Sequence, residues 1–378
     1  MNLAIIALTK AGKEISFLLA DKLRPKSNPT VDLFFSKSLQ SEDRDQKYEV
    51  KDQKKVTTFE SLKQLTGELF SRYDGLIFVM ALGIVVRVLA PYLEDKREDP
   101  AVVTLDESGQ HVISTLSGHL GGANELAHRI AGILEAEPVI TTATDCQGKL
   151  AFDLLAQKLD CAITPFANLK LANSALVNNR PVKLFTDLDL DVELPDNVQL
   201  QPVEELAKQN NFQQEDCFPV IISNQKMDRL FLQKGEQGEY LQLVPRNIIV
   251  GVGSRRGVSE KQVAGAVKLA LNKVGISRKS IKKMATIDLK SEEQGIINYA
   301  RRLGVELEII SRKEIKKASF NYTKSEFVKK TIGVGGVCEP AAMIAAQRGK
   351  IILSKMSKNK VTVALVEESL EKQKGNCM

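Results

Sequence analysis

The chain has 378 residues, of which 43% are hydrophobic and 26% are charged, and its formal net charge is +6. This length favours two or three domains, and an aromatic content of 5% without tryptophan argues against a stacking surface for single-stranded nucleic acid. No apolar run approaches the roughly 18–20 residues of a membrane span, and the N-terminal segment predicts a buried strand rather than a signal peptide. We therefore expect a cytoplasmic protein that binds neither nucleic acid nor membrane. The mild positive charge favours an anionic ligand.

The five cysteines are widely spaced and include no CxxC pair. This pattern predicts neither a disulfide framework nor a zinc site. The three histidines also lack the i, i+4 spacing of a helical metal pair. The sequence therefore predicts no metal site of the protein's own.

Strand-like and helix-like segments alternate along the chain, which predicts α/β layers. In the first section, apolar runs predict strands and amphipathic segments predict helices. Strands are expected at Leu3–Thr9, Val31–Phe35, Gly75–Met80, Val102–Asp106 and His111–Leu116, and helices at about Lys13–Leu23, Thr58–Ser71, Ile84–Leu93 and Ala123–Leu134.

The later sections continue the alternation. The second is expected to hold strands at Val139–Thr144, Val182–Phe185, Phe218–Ser223, Arg229–Gln233 and Tyr240–Val244, with helices at Lys149–Asp160 and Asn168–Asn178. The third is expected to hold strands at Asn247–Val252, Met284–Ile287, Val305–Ile310, Ile351–Met356 and Val361–Val366, with a helix capped by Ser259 and Gln262. We predict three α/β units with mostly parallel sheets flanked by helices, comprising residues 1–136, 137–243 and 244–378.

A glycine-rich loop directly precedes the helix that begins at Ala123. Glycines let backbone approach a ligand, and a helix start offers unpaired N–H groups to an anion. His119 is the sharpest candidate, because an exposed imidazole in such a loop suits acid–base work; the alternative is a histidine that caps the helix or bonds a loop carbonyl. The candidate ligand-binding residues around it are Ser117, Gly118, Gly121, Gly122 and Asn124.

Further polar residues are candidates because of where they fall. Asp145 and Thr142 end a predicted strand, where ligands of open α/β sheets bind, although Asp145 alternatively caps the next helix. Glu107 lies in a predicted turn, where solvated carboxylates are common. Arg87 offers a planar fork for a carboxylate, or a structural salt bridge.

The third section has two glycine-rich loops before helices. Arg255 and Arg256 lie between glycines in the first loop, which predicts an anion cradle, although there is no GxGxxG or Walker lysine pattern. At the second loop, Glu339 is a candidate substrate-binding residue. Its neighbour Cys338 is expected to be a small buried residue rather than a nucleophile.

At these motifs the sequence resembles a known family. The segments GIVVRVLAPYLEDKREDPAVVTLDESG, LSGHLGGANELAHRIA and PVITTATD, then GVGSRRGVSE, ATIDLKSEEQG, FVKKTIGVGGVCEPAAM and VTVALVEES, resemble the cobalamin biosynthesis protein G family. The resemblance covers nearly the whole chain and is weak over residues 187–240. One departure is Ser254, where the family commonly carries cysteine.

The resemblance implies a cobalt-precorrin-5A hydrolase of the anaerobic vitamin B12 pathway. Such an enzyme opens a lactone with water and releases the C20 fragment as acetaldehyde, which contracts the macrocycle. It implies a tetrapyrrole substrate that carries its own cobalt, and no other cofactor. A homodimer and transient contact with neighbouring pathway enzymes stay open.

The candidate residues divide among the tasks of this reaction. His119 with Asp145 or Glu107 would move protons, and the N–H groups of Gly121 and Gly122 would stabilise the oxyanion. Arg87, Arg255 and Arg256 would bind peripheral carboxylates. Two alternatives remain, namely a non-catalytic carrier of corrinoid intermediates and a nucleotide-binding regulator that uses the glycine loops for phosphate.

Overall fold

A computed structural model of the protein describes residues 1–23, 30–39, 56–95, 98–146, 150–188, 190, 194–208, 217–227 and 239–369. The chain forms two compact units, Met1–Lys149 and Leu150–Met378. The described residues build one seven-stranded sheet in the first unit and two five-stranded sheets in the second. Most neighbouring strands are parallel, and helices pack against the sheets. The predicted fold class is therefore confirmed.

The first unit is built on the seven-stranded sheet. Its strands are β1 (Leu3–Ala7), β2 (Val31–Ser36), β3 (Val56–Phe59), β4 (Gly75–Val79), β5 (Ala101–Leu105), β6 (His111–Leu116) and β7 (Glu137–Val139), and its helices are α1 (Lys10–Lys22), α2 (Leu62–Phe70), α3 (Leu82–Leu89), α4 (Ala123–Leu134) and α5 (Ala143–Cys146). The strand order is β3-β2-β1-β4-β5-β6-β7.

Helices cover both faces of this sheet. The central strands β1 and β4 are buried at every position. Ile5 and Ile77 pack with α1 and α4 on one face, whereas Ile6 and Phe78 pack with α2 and α3 on the other. A parallel strand between two helical layers has no face toward solvent, which explains why these strands are continuous apolar runs in the sequence.

The β5–β6 hairpin reverses the chain and determines where the loops lie. Leu105 pairs with Val112 and Val102 pairs with Leu116, so the end of β6 lies beside the start of β5. Strand β7 is parallel to β6, and its carboxyl end lies at the same edge. We call this the β6 edge. It carries the amino ends of β1, β4 and β5 together with the carboxyl ends of β6 and β7.

The second unit begins with a sheet in the order β10-β9-β11-β12-β8, in which β8 is antiparallel to its neighbour. Its strands are β8 (Cys161–Thr164), β9 (Val182–Thr186), β10 (Val198–Gln201), β11 (Phe218–Ile222) and β12 (Leu241–Pro245), and its helices are α6 (Phe152–Lys158) and α7 (Leu169–Val177). The buried strands β11 and β12 form its centre.

The last sheet has the order β15-β14-β13-β17-β16. Its strands are β13 (Ile248–Ser254), β14 (Ile281–Ile287), β15 (Glu306–Ile310), β16 (Gly349–Lys358) and β17 (Val361–Glu368), and the helices around it are α8 (Glu260–Val274), α9 (Gln294–Leu303), α10 (Arg312–Lys317), α11 (Glu326–Ile332) and α12 (Cys338–Ala345). Helices α8 and α9 pack on one face and α12 on the other. The predicted capping box of Ser259 and Gln262 is present.

Several predicted segments differ from the structure. The strand predicted at Val139–Thr144 is instead β7, which ends at Val139, followed by the short helix α5. Because β7 pairs with β6, the first sheet extends beyond the boundary predicted at residue 136, and β12 likewise continues past residue 243. The division into three domains stays a prediction. The strand predicted at Arg229–Gln233 lies outside the described residues.

Candidate active site

The loop between β6 and α4 is tightly wound at the β6 edge. Ser117 has a φ of 57° and Gly122 a φ of 85°. The Ser117 hydroxyl donates to the Asp99 carbonyl at 3.0 Å, which ties the loop to the start of β5. A Cβ at Gly121 would lie 2.4 Å from that of Ser117, and a Cβ at Gly118 would lie 2.6 Å from Asn124 Oδ1. A side chain at either position would clash with these atoms, so the tight packing of the loop requires glycine at both.

The loop carbonyls accept hydrogen bonds from the first N–H groups of α4. Ala123 N donates to Ser117 O at 3.1 Å, Asn124 N donates to Gly118 O at 3.0 Å, and Gly122 N donates to His119 O at 3.0 Å. The prediction that this helix start offers these N–H groups to an anion is therefore wrong, and Gly122 cannot supply an oxyanion donor while its bond holds.

The centre of the site is a hydrogen-bonded histidine and carboxylate. His119 Nε2 lies 2.6 Å from Asp145 Oδ2 and 3.3 Å from the Thr144 hydroxyl. The His119 side chain is 9% exposed and that of Asp145 is 30% exposed, so the imidazole is more enclosed than predicted and the carboxylate reaches solvent. A carboxylate only accepts hydrogen bonds, so in neutral His119 the proton lies on Nε2 and the lone pair on Nδ1.

Asn124 organises the groups around this pair. Its Nδ2 donates to Thr142 Oγ1 and to Asp145 Oδ2, both at 3.1 Å, and its Oδ1 accepts from the Ser114 hydroxyl at 2.6 Å. The residue is only 7% exposed. Both amide protons are thus used within the protein. Asn124 positions Asp145, which differs from the substrate-binding role predicted for it.

This hydrogen-bond network has no direct signature in the sequence. Ser114 lies within β6, and its inward direction follows from the strand alternation once the strand is known. Helix α5 begins directly after Thr142 and carries Asp145, and both residues contact Asn124 of α4. The Thr142 hydroxyl accepts from Asn124 and retains its own proton, so it can donate to a ligand.

Glu107 is not part of this site. It is exposed in the turn between β5 and β6, whereas His119 follows the other end of β6. A strand of five residues is about 15 Å long, which separates the two side chains. The ordered carboxylate of that turn is its neighbour Asp106, which accepts from Ser108 N at 2.9 Å and His111 N at 2.7 Å. Partial burial acts to raise the pKa of Asp106, but these hydrogen bonds outweigh it and lower the pKa to about 2.

Arg87 lies on α3 with its side chain exposed. Among the described residues it makes no ion pair, so its guanidinium group is available to a carboxylate ligand. The alternative, in which Arg87 forms a structural salt bridge, has no carboxylate partner among the described residues.

In the second unit, Arg255 and Arg256 are exposed at the end of β13. The anion position beside them is already filled by an internal carboxylate. Glu293 Oε1 accepts from Gly257 N at 2.9 Å and Val258 N at 3.2 Å. Glu293 also pairs with Lys290 at 3.4 Å. The predicted backbone cradle is therefore occupied, and only the arginine side chains remain for a ligand.

Glu339 is a structural anchor rather than a ligand-binding residue. It is 2% exposed and accepts from Thr323 N at 2.5 Å, Thr323 Oγ1 at 3.0 Å and Lys355 N at 2.6 Å. The adjacent Cys338 is buried as predicted, and burial raises the pKa of its thiol to about 11.

Within the described ranges, no group of three or more His, Cys, Asp or Glu side chains is arranged to hold a metal ion. In the same part of the chain, no helix has the length and hydrophobicity that crossing a bilayer requires.

Comparison with known proteins places the site within a family. Three family models match successive segments: cobalamin synthesis G N-terminal over residues 64–145, cobalamin biosynthesis central region over residues 150–245, and cobalamin synthesis G C-terminus over residues 248–366. A cobalt-precorrin-5A hydrolase of Salmonella typhimurium is 35% identical over 79% of this chain and 83% of that protein. The chain belongs to the cobalamin synthesis G family.

Two further comparisons cover most of the chain. A cobalt-precorrin-5A hydrolase of Priestia megaterium is 29% identical over 96% of this chain and 94% of that protein. A solved structure of a cobalamin biosynthesis protein G homolog from Sulfolobus solfataricus covers 97% of each chain at 23% identity, with a TM-score of 0.36. His119, Asn124 and Asp145 all fall within the residues that match the N-terminal model of the cobalamin synthesis G family.

Proposed function

We propose that this protein is a cobalt-precorrin-5A hydrolase, which opens the lactone of its substrate with water and releases the C20 fragment as acetaldehyde to give cobalt-precorrin-5B. The observation that carries the proposal is the His119–Asp145 pair, at 2.6 Å, inside the segment that matches the N-terminal family model. Relatives named cobalt-precorrin-5A hydrolase match most of the chain.

The pair suits the first step, in which water attacks the lactone carbonyl. His119 acts as the general base for the attacking water, while Asp145, hydrogen-bonded to its ring, stabilises the imidazolium that forms. The Thr142 hydroxyl, which retains its own proton, is a donor for the developing oxyanion. Breaking the ester C–O bond gives a free acetate side chain and an alkoxide that recovers the proton.

The second step breaks a carbon–carbon bond. A base removes the proton of the freed hydroxyl, and the oxygen electrons form the carbonyl of acetaldehyde as the bond to the macrocycle breaks. The electron pair of that bond passes to the macrocycle, which takes up a proton. The enclosed His119 is placed to serve as the base here also.

We expect cobalt to arrive inside the substrate and the protein to need no cofactor of its own. This expectation stays a prediction, supported by the chemistry above, in which a general base and hydrogen-bond donors suffice.

The decisive experiment is incubation with cobalt-precorrin-5A, with acetaldehyde and product mass both measured. His119→Ala is expected to slow acetaldehyde release about 10²- to 10⁴-fold, and His128→Ala is the matched control, because His128 is exposed on α4 outside the pair. Tight binding of the intermediate without acetaldehyde from the unmodified protein would instead establish the non-catalytic carrier.

A further inference from the structure

We infer that the second unit has a polycarboxylate-binding surface of its own, formed by Arg255, Arg256, Lys358 and Lys360, and called here the basic tip. Its ligand is the fringe of acetate and propionate carboxylates on a cobalt-bearing macrocycle, an identity that rests on the proposed function. Lys358 and Lys360 belong to none of the motifs considered above.

Two chain segments bring these cations together. Ser254 at the end of β13 pairs with Val361, and Val361 pairs with Lys358. A two-residue turn joins β16 to β17, with φ values of 47° at Asn359 and 67° at Lys360, as in a type I′ hairpin. Arg255 N donates to Lys360 O at 2.9 Å. Adjacent strands lie about 5 Å apart, so the charged groups share one small surface.

The cations of the basic tip are not neutralised by neighbouring acids. Among the described residues, none of Arg255, Arg256, Lys358 and Lys360 forms an ion pair, and all but the half-buried Lys358 are exposed. The nearby carboxylates have other partners: Glu260 pairs with Arg302, Asp288 with Arg312, and Glu293 with Lys290. The tip is therefore a local excess of positive charge, complementary to an anion.

The chemistry of the anion follows from which groups are left to bind it. Because Glu293 fills the N–H positions of Gly257 and Val258, the loop cannot cradle one phosphate through its backbone. Four flexible side chains at one tip instead suit a ligand with several separate anionic groups. A single exposed charge pair contributes little, so useful affinity requires several pairs at once.

The test uses the full chain and a cobalt corrin that bears free peripheral carboxylates but no lactone, so that binding is measured without turnover. The tip variant is Arg255→Gln, Arg256→Gln, Lys358→Gln and Lys360→Gln together. The control variant removes the same charge from two adjacent pairs of exposed cations in the same unit, namely Lys316→Gln, Lys317→Gln, Lys329→Gln and Lys330→Gln. Affinity is measured by titration at low and high salt, with the peripherally amidated corrin as the control ligand.

The tip variant is expected to bind the carboxylate corrin about 10- to 100-fold more weakly, from about 2- to 3-fold for each of its exposed pairs. The control variant should change affinity less than threefold, on the order of a single exposed pair, and added salt should weaken the unmodified protein more than the tip variant. Unchanged affinity of the tip variant, or equally tight binding of the amidated corrin, would overturn the inference. So would tip-dependent binding of a short oligonucleotide as tight as that of the corrin.

The result is separable from the proposed function. Loss of corrin affinity in the tip variant with no acetaldehyde from the unmodified protein would support the tip and reject the hydrolase. Acetaldehyde release by the unmodified protein together with full affinity of the tip variant would support the hydrolase and reject the tip.

Discussion

The link between His119 and Asp145 predicts a specific pattern of rates when each is changed. Asp145→Asn preserves the size of the side chain and one acceptor oxygen, but it removes the negative charge 2.6 Å from the imidazole. If His119 takes a proton during the reaction, the carboxylate stabilises the resulting imidazolium in the transition state. The variant should then lose rate without losing its fold.

The magnitude follows from the geometry. A hydrogen bond between charged groups contributes about 1.5–3 kcal/mol. Because the Asp145 side chain is 30% exposed, solvent screens part of the interaction, and the lower end of about 1.5–2 kcal/mol applies. That corresponds to a roughly 10- to 30-fold fall in kcat. His119→Ala removes the base itself and should cost about 10²- to 10⁴-fold.

The assay is acetaldehyde release at saturating substrate, followed by coupled oxidation of NADH, with circular dichroism melting to check the fold. In the double variant, the loss should equal that of His119→Ala alone, because Asp145 acts through the histidine. Losses that multiply in the double variant would refute this coupling. So would near-normal turnover of the His119 variant.

Three other predictions follow from single groups. Among the described side chains, the Ser254 hydroxyl is buried without a hydrogen-bond partner, so Ser254→Ala should raise the free energy of unfolding by about 1 kcal/mol. The matched control Ser280→Ala removes a hydroxyl that donates to Ser277 O and should lower the free energy of unfolding. Urea titrations that give the opposite order would contradict the structure. The pKa of Asp106 falls from 3.8 to about 2 on folding, so its stabilisation is present above about pH 5 and is lost progressively as the pH falls to about 1. Hydrogen exchange of the β5 and β6 amides should show Asp106→Asn to be less stable by about 1 kcal/mol at pH 7, allowing for solvent screening, and by only a small part of that at pH 2. Turnover should survive a chelator, and loss of activity that zinc or magnesium restores would show a resident metal.

The sequence was sufficient for the architecture because the relevant signals are local. Buried parallel strands are continuous apolar runs, as in Leu3–Ala7 and Gly75–Val79, and the capping box at Ser259 fixes the start of α8. The strand predicted to continue from Val139 to Thr144 was wrong. The β-branched residues of this segment favour a strand, whereas the chain forms α5 there. Tertiary contacts with Asn124 on α4 and with His119 in the preceding loop outweighed that preference.

The roles of individual site residues were harder to predict from the sequence, because they depend on which partner each polar group binds. Asn124, Glu339 and Glu293 are chemically suited to ligands, yet each is committed to the protein's own groups. A buried polar group must be satisfied somewhere, and a ligand is only one way to satisfy it. The pattern of residue types around a glycine loop cannot distinguish these cases, whereas the distances do.

The position of the His119 pair also explains why Glu107 lies outside the site. Ligands of open α/β sheets bind beyond the carboxyl ends of their strands, and this rule is the basis for predicting Thr142 and Asp145 as site residues. The β5–β6 hairpin turns the carboxyl ends of β6 and β7 toward the amino ends of β5 and its neighbours. Both His119 and Asp145 still follow carboxyl strand ends, so the rule holds locally for this pair of strands. Glu107 follows β5, whose carboxyl end lies at the other edge, and one antiparallel pairing is enough to separate it from the histidine.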